Sequence, residues 1–161
     1  MSAFNTPIDL AQLVTISGVV VAAIVGLRQL SNLVANRQAQ LFMQLYDRFS
    51  REEFLNEFIE VMALQWVDFE DYWQKYGLDN NRDATLKIHS VGNFFEGIGV
   101  LVKRRLIKIE LVDDLMSGSI IRYWEKMMPV IIEQRKKFNW PQAYEWTEYL
   151  YNKIVVMNKS K

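Results

Sequence analysis

Between Asp9 and Arg28 the chain reads LAQLVTISGVVVAAIVGL, 18 residues without a charge, in which Gln12, Thr15 and Ser17 are the only polar members. An α-helix rises about 1.5 Å per residue, so this run covers roughly 27 Å. The hydrocarbon core of a bilayer is about 30 Å thick. The run is long enough to cross it, and Ile8 or Leu30 can extend it slightly. The sequence therefore predicts a short tail over residues 1–9 and a transmembrane helix over residues 10–30. A helix buried in a soluble core or in a partner competes with this, but such helices are usually shorter and more amphipathic. A cleaved signal peptide calls for a basic n-region, which residues 1–9 lack.

The charges fix an expected orientation. Residues 1–27 carry one charged side chain, Asp9, while the other 134 residues hold all 19 Lys and Arg and 18 of the acidic groups. The flank before the run has no Lys or Arg, and the flank after it has Arg28 and Arg37. The positive-inside rule then puts the N-terminus outside and the remainder in the cytoplasm of a single-pass cell-membrane protein. Within the run, Gly18, Ala22 and Gly26 recur every four residues and line one helix face. Such a small-residue face lets another helix backbone approach closely, and close packing is what holds helices together in lipid.

Beyond Arg28 the apolar spacing stays helical. Leu27, Leu30, Val34, Leu41, Leu45 and Phe49 continue the pattern to Ser50 without a Gly or Pro after Gly26. One helix of about 60 Å is expected from Ile8 to Phe49. Ser50-Arg51-Glu52-Glu53 has the form of a capping box and opens a helix over 51–65 with Phe54, Phe58, Val61 and Met62 on one face. Asp68 is expected to cap a short helix ending at Gly77, and LDNNRD after it is the clearest loop. Asp83 is expected to cap a helix over 84–105 with the stripe Ile88, Val91, Phe95, Ile98 and Val102, and Gly92 and Gly99 beside it permit close packing. A short helix over 110–116 is then broken by Ser117-Gly118-Ser119. The helix over 119–137 contains Pro129, which should kink or restart it. Asn139-Trp140-Pro141 forms a turn, a last helix covers 142–156, and residues 158–161 are a basic tail. No segment alternates with the strand period. The expected fold is all-α: the N-terminal transmembrane helix continues into a cytoplasmic bundle of about five helices over residues 31–157.

Several short stretches along this order carry a resemblance. They are Arg37-Gln-Ala-Gln-Leu41, Tyr46-Asp-Arg-Phe-Ser50, Phe95-Glu96-Gly97-Ile98-Gly99 with Leu101-Val102, Ile109-Glu-Leu-Val112, and Tyr123-Trp124 followed by Arg135. In these the chain resembles a family of small prokaryotic membrane-anchored helical proteins catalogued as a domain of unknown function. The resemblance covers nearly the whole chain. It implies an N-terminal membrane helix and a helical domain, and it transfers no activity and no catalytic residue.

The side-chain inventory argues against most chemistry. There is no Cys, so thiolate nucleophiles, thiolate metal sites and disulfides are excluded. There is one His, His89, with Thr85 and Leu86 where a Glu-x-x-His or His-rich ligand pattern would need an acid. His89 is expected to be a surface or hydrogen-bonding residue. Gly97-Ile98-Gly99 lacks the third glycine of a dinucleotide loop and lies within a helix, and there is no Walker motif. No nucleophile elbow is present. No cofactor and no metal are expected. A net charge of zero gives no electrostatic case for a nucleic-acid partner.

Three features remain. Glu96 lies among Phe94, Phe95, Gly97 and Ile98. A carboxylate in such surroundings needs a partner, and Arg135 is the expected one, with Arg122 as the alternative. Lys103, Arg104, Arg105 and Lys108 form one basic cluster, and Arg135, Lys136 and Lys137 a second. Either complements a helix C-terminus or docks on anionic lipid or an acidic partner surface. Helical spacing assigns most of the 5 Trp, 7 Tyr and 9 Phe to the core, but Trp140, Tyr144 and Trp146 near a turn and adjacent Tyr123-Trp124 cannot all face one core, and some of the surplus suits interface anchors. The function expected is that of a non-catalytic accessory or regulatory subunit. It would anchor in membrane lipid and dock on the cytoplasmic side of a larger integral membrane protein complex. A free-standing, homo-oligomeric membrane sensor is the alternative, and an enzyme is the least supported reading.

Overall fold

The structure, a computed structural model, describes residues 9–159. Among the described residues it has six helices and no strand: α1 (Leu10–Ser50), α2 (Glu52–Ala63), α3 (Phe69–Tyr76), α4 (Arg82–Lys103), α5 (Ile109–Lys137) and α6 (Glu145–Lys159). The basic-tail residues Ser160 and Lys161 and the tail up to Ile8 lie outside the described residues. The chain divides into two compact units, one ending at Gln40 and the other starting at Leu41. The first unit is the leading part of α1. It is opened by a reciprocal cap: the Gln12 amide donates to Asp9 Oδ1 at 2.7 Å, and the Asp9 amide donates to Gln12 Oε1 at 3.2 Å.

The second unit holds the core. Phe42 is the first buried residue of α1, and Leu41, Leu45, Tyr46 and Phe49 pack on the same cluster. α4 lies between α2 and α6. The stripe Ile88, Val91, Phe95, Ile98 and Val102 is buried, as its spacing predicts. Rings bind the elements: Phe54 meets Phe94 at 4.5 Å between centroids, and Phe95 meets Tyr123 of α5 at 5.3 Å. The two glycines beside the stripe are where α4 admits its neighbours. A Cβ on Gly99 would collide with the Trp146 backbone, and one on Gly92 would lie 2.6 Å from the Tyr123 hydroxyl.

Local signals are partly redirected. Ser50 does not cap α2. It ends α1, with its hydroxyl donating to the Asp47 carbonyl at 3.1 Å, and the extended Arg51 precedes α2 without a side-chain cap. Asp68 caps α3 as expected, accepting from the Asp71 amide at 2.9 Å, and α3 ends at Gly77. For α4 the cap is Asn81, which accepts from the Ala84 amide at 3.1 Å, and Asp83 falls in the first turn instead.

α5 is a larger correction. It runs unbroken through Gly118 and contains Pro129. A helical Gly costs about 1 kcal/mol relative to Ala and an interior Pro about 3 kcal/mol. Tertiary burial offsets both. Val112, Met116, Ile120, Tyr123, Met127 and Val130 are all buried, and their spacing crosses both breakers without a phase shift. Tyr123 and Trp124 are both buried as well, at 0% and 2% exposure, so the adjacent pair faces the core together, while Trp140 near the turn is exposed. α6 begins at Glu145, three residues after the expected start, because 141–144 form turns with Tyr144 at a φ of 55°.

Candidate functional site

Nothing in the apolar stretch of α1 is buried, and an 18-residue window there has a mean hydropathy of 2.3. By length and composition it can cross a membrane. Its three polar side chains are satisfied within the helix itself. Gln12 belongs to the N-terminal cap, the Thr15 hydroxyl donates to the Ala11 carbonyl at 2.8 Å, and the Ser17 hydroxyl to the Val14 carbonyl at 2.9 Å. Gly18, Ala22 and Gly26 are exposed, and a Cβ on either glycine would meet nothing within 4 Å.

Glu96 does not meet Arg135. Its carboxylate accepts from the Trp146 amide at 3.2 Å, the Thr147 amide at 2.8 Å and the Thr147 hydroxyl at 2.7 Å. These amides belong to the first turn of α6, where N–H groups have no partner in their own helix and the dipole favours a negative charge. Glu96 therefore caps α6 from α4. Its helix-fixing role is the expected one, but the partner is different. Arg135 instead ties α5 to the chain entering α6. Nη1 lies 2.7 Å from Glu148 Oε2, and Nε donates to the Ala143 carbonyl at 2.9 Å. Arg122 turns back on its own helix, donating to the Gly118 carbonyl at 3.2 Å.

Beside this junction is a cavity of about 280 Å³ between α3, α4, the end of α5 and the segment before α6. His89 and Tyr144 meet on its wall, with His89 Nδ1 3.0 Å from the Tyr144 hydroxyl. Burial lowers the His89 pKa. Burial, with the Glu96 charge nearby, pushes the Tyr144 phenol up to about 12. Burial likewise holds the Tyr123 phenol well above its ordinary value. Neither Glu96 nor an arginine lines the cavity, so it does not gather an acid, a base and a cation at one point. Sequence reasoning missed the His89–Tyr144 pair, the Arg135–Glu148 pair and the Asp9–Gln12 cap. Only the last had a legible signal, an Asp-x-x-Gln ahead of an apolar run.

The basic clusters separate. Lys103, Arg104, Arg105 and Lys108 surround the α4–α5 connection, and Lys136 and Lys137 end α5, about 40 Å away along that helix. Several of these cations already have partners. The Lys103 ammonium lies over the Tyr149 ring at 5.1 Å, Lys136 pairs with Glu133 at 2.7 Å, and Lys137 pairs with Glu70 at 3.2 Å while lying over Phe69 at 5.0 Å. Arg104 and Lys108 are exposed, and Arg105 turns the chain after α4 at a φ of 58°. Among the described residues, no group of three or more His, Asp or Glu side chains is arranged to hold a metal ion.

No curated protein and no solved structure matches the chain. A family profile does match, over residues 13–154, from the second turn of α1 into α6. With nearly the whole described structure inside that match, the chain belongs to the family described as a domain of unknown function (DUF4760).

Proposed function

We propose that the chain is a single-pass membrane-anchored accessory subunit. Its N-terminus lies outside and its helical domain in the cytoplasm, where it docks on a larger integral membrane protein complex and stabilises or modulates it. The observation that carries this reading is the exposed apolar stretch of α1. It leaves a full turn of large side chains without cover, among them Val14 at 65% and Val19 at 65% exposure. Lipid covers most of such a surface. The open Gly18/Ala22/Gly26 face suits a second helix, because small residues let backbones approach. Arg28 and Arg37, after a flank without Lys or Arg, support the orientation. The exposed Arg104 and Lys108 suit contact with anionic lipid headgroups or an acidic protein surface.

Two experiments test this. The chain has no Cys, so Ser2→Cys and Asn158→Cys each give a single thiol for a membrane-impermeant maleimide on intact cells. Labelling at Ser2→Cys only is expected, and labelling at Asn158→Cys only overturns the orientation. Gentle extraction in lipid nanodiscs, capture through the C-terminus and mass spectrometry should then recover a stoichiometric integral membrane partner. That partner should be lost with Gly18→Leu or Gly26→Leu. Recovery of second copies alone would replace the subunit with the homo-oligomeric sensor, and a lone monomer would refute both.

A further inference from the structure

The cavity beside His89 is lined only by residues of α3 and the turn after it, α4, α5 and the segment before α6, and its walls are specific enough to describe a guest. At about 280 Å³ it lies at the small end of ligand pockets, which start at roughly 300 Å³. Its walls are mostly rings: Tyr72, Trp73 and Tyr76 from α3, and Phe138, Trp140 and Tyr144 from the chain between α5 and α6. The mouth is apolar too. Leu78, Phe138 and Trp140 are 58%, 49% and 59% exposed. Single exposed apolar residues are ordinary, but three around one opening make a patch that a guest would cover.

Charge narrows the guest further. No carboxylate lines the cavity, and the Lys137 ammonium already lies 5.3 Å from the Trp73 ring centroid. A cation would enter without a counter-ion, against a ring that already holds a cation. An anion would lose its hydration in an apolar space lined by no Lys or Arg. The rings carry polar atoms at their edges, the tyrosine hydroxyls and indole N–H groups, and the Tyr76 hydroxyl is already held by the Gln65 carbonyl at 3.1 Å. The Thr85 hydroxyl is occupied by the carbonyls of Tyr76 and Asn81, at 2.7 and 2.9 Å. His89 and Gln134 are the polar side chains of the wall that are not rings of the stacking surface. When the Tyr144 hydroxyl donates to His89 Nδ1, the neutral imidazole carries its proton on Nε2, a donor not used in that bond.

We propose that this cavity binds a small uncharged aromatic molecule that stacks on the ring walls and presents one hydrogen-bonding group to His89 and Gln134.

The test uses the full chain in lipid nanodiscs, titrated calorimetrically with 2-naphthol, naphthalene and tetramethylammonium. Empty nanodiscs supply the blank for partition into lipid. Saturable binding of 2-naphthol at one site per chain is expected, with naphthalene weaker by about tenfold for want of the hydrogen bond. His89→Phe should erase the difference between the two. Trp140→Ala changes an exposed rim residue, so its helical circular dichroism should match wild type, and it should weaken both probes by about tenfold. Tetramethylammonium binding in preference to 2-naphthol would overturn the proposal. So would uptake no greater than that of empty nanodiscs, or equal binding by wild type and folded Trp140→Ala.

Discussion

The Glu96 carboxylate closes the N-terminus of α6 by accepting from both the amide and the hydroxyl of Thr147, at 2.8 and 2.7 Å, across a separation of 51 residues in sequence. Helices are usually capped by their own flanking residues. Here the residue before α6 is Tyr144, at a φ of 55° and turned to His89, so the capping group comes from a neighbouring helix. The bond fixes the register of α6 on α4 as well as ending it. Thr147 is fully buried. Losing the carboxylate therefore leaves donors that water does not easily reach.

Glu96→Ala should lower unfolding stability by about 2–3 kcal/mol, because the bonds it removes are charge-assisted and one donor is buried. Glu96→Gln keeps an acceptor and should cost about 1–2 kcal/mol. Denaturant midpoints for both variants check this. A loss below that of an ordinary surface substitution in Glu96→Ala would show that the cap is not made.

The glycines of α4 should respond in opposite directions. A Cβ on Gly99 would lie 2.6 Å from the Trp146 carbonyl carbon, and backbone does not yield as a flexible side chain does. Gly99→Ala should push α6 away from α4 and cost about 2–3 kcal/mol. At Gly97 a Cβ would meet nothing within 4 Å. Gly97→Ala should gain up to about 1 kcal/mol from helix propensity alone. Thermal melts of the pair would decide it, and equal shifts would refute the close contact.

Tyr123 is wholly buried, and its hydroxyl has no hydrogen-bond partner among the described residues. Its ring, packed on Phe95, accounts for what the residue contributes. Tyr123→Phe keeps the ring and removes a desolvated polar atom. Stability should stay level or rise by about 1 kcal/mol. A loss of more than that, read from urea unfolding, would mean that the hydroxyl has a partner in solution.

The helical class, the uncovered apolar run and the α4 stripe were legible because each is a local periodicity. The continuity of α5 was half legible. The stripe from Val112 to Val130 was present, but Gly118 and Pro129 read as stops, and only the packing of both flanks outweighs them. Caps were legible where they are local and unique, as at Asp68, and not where two neighbours compete, as at Asn81 and Asp83. The partners of Glu96 and Arg135 were not legible at all. Both lie on α6 or just before it, and opposite charge is the only feature of the sequence that links the two residues. The cavity escaped for the same reason: its rings come from three stretches of chain that only the fold assembles.

His89 gives a pH dependence with a definite sign. Partial burial lowers its pKa below that of a free imidazole, so the unfolded chain takes up a proton more readily than the folded one. Stability then falls as pH drops below the unfolded-state pKa, and this contribution levels off once the folded-state pKa is passed. Tyr144, the partner of His89, stays protonated throughout, since its pKa is pushed up to about 12. Carboxylates titrate at the lower end of the same range, so the comparison must be with His89→Phe, which shares all of them. Between about pH 7.5 and about pH 5.5, wild type should lose more stability than His89→Phe, as measured by urea midpoints. Parallel losses in the two proteins would mean that the imidazole titrates alike in both states. A larger loss in the variant would reverse the sign and place a stabilising charge on the folded-state His89.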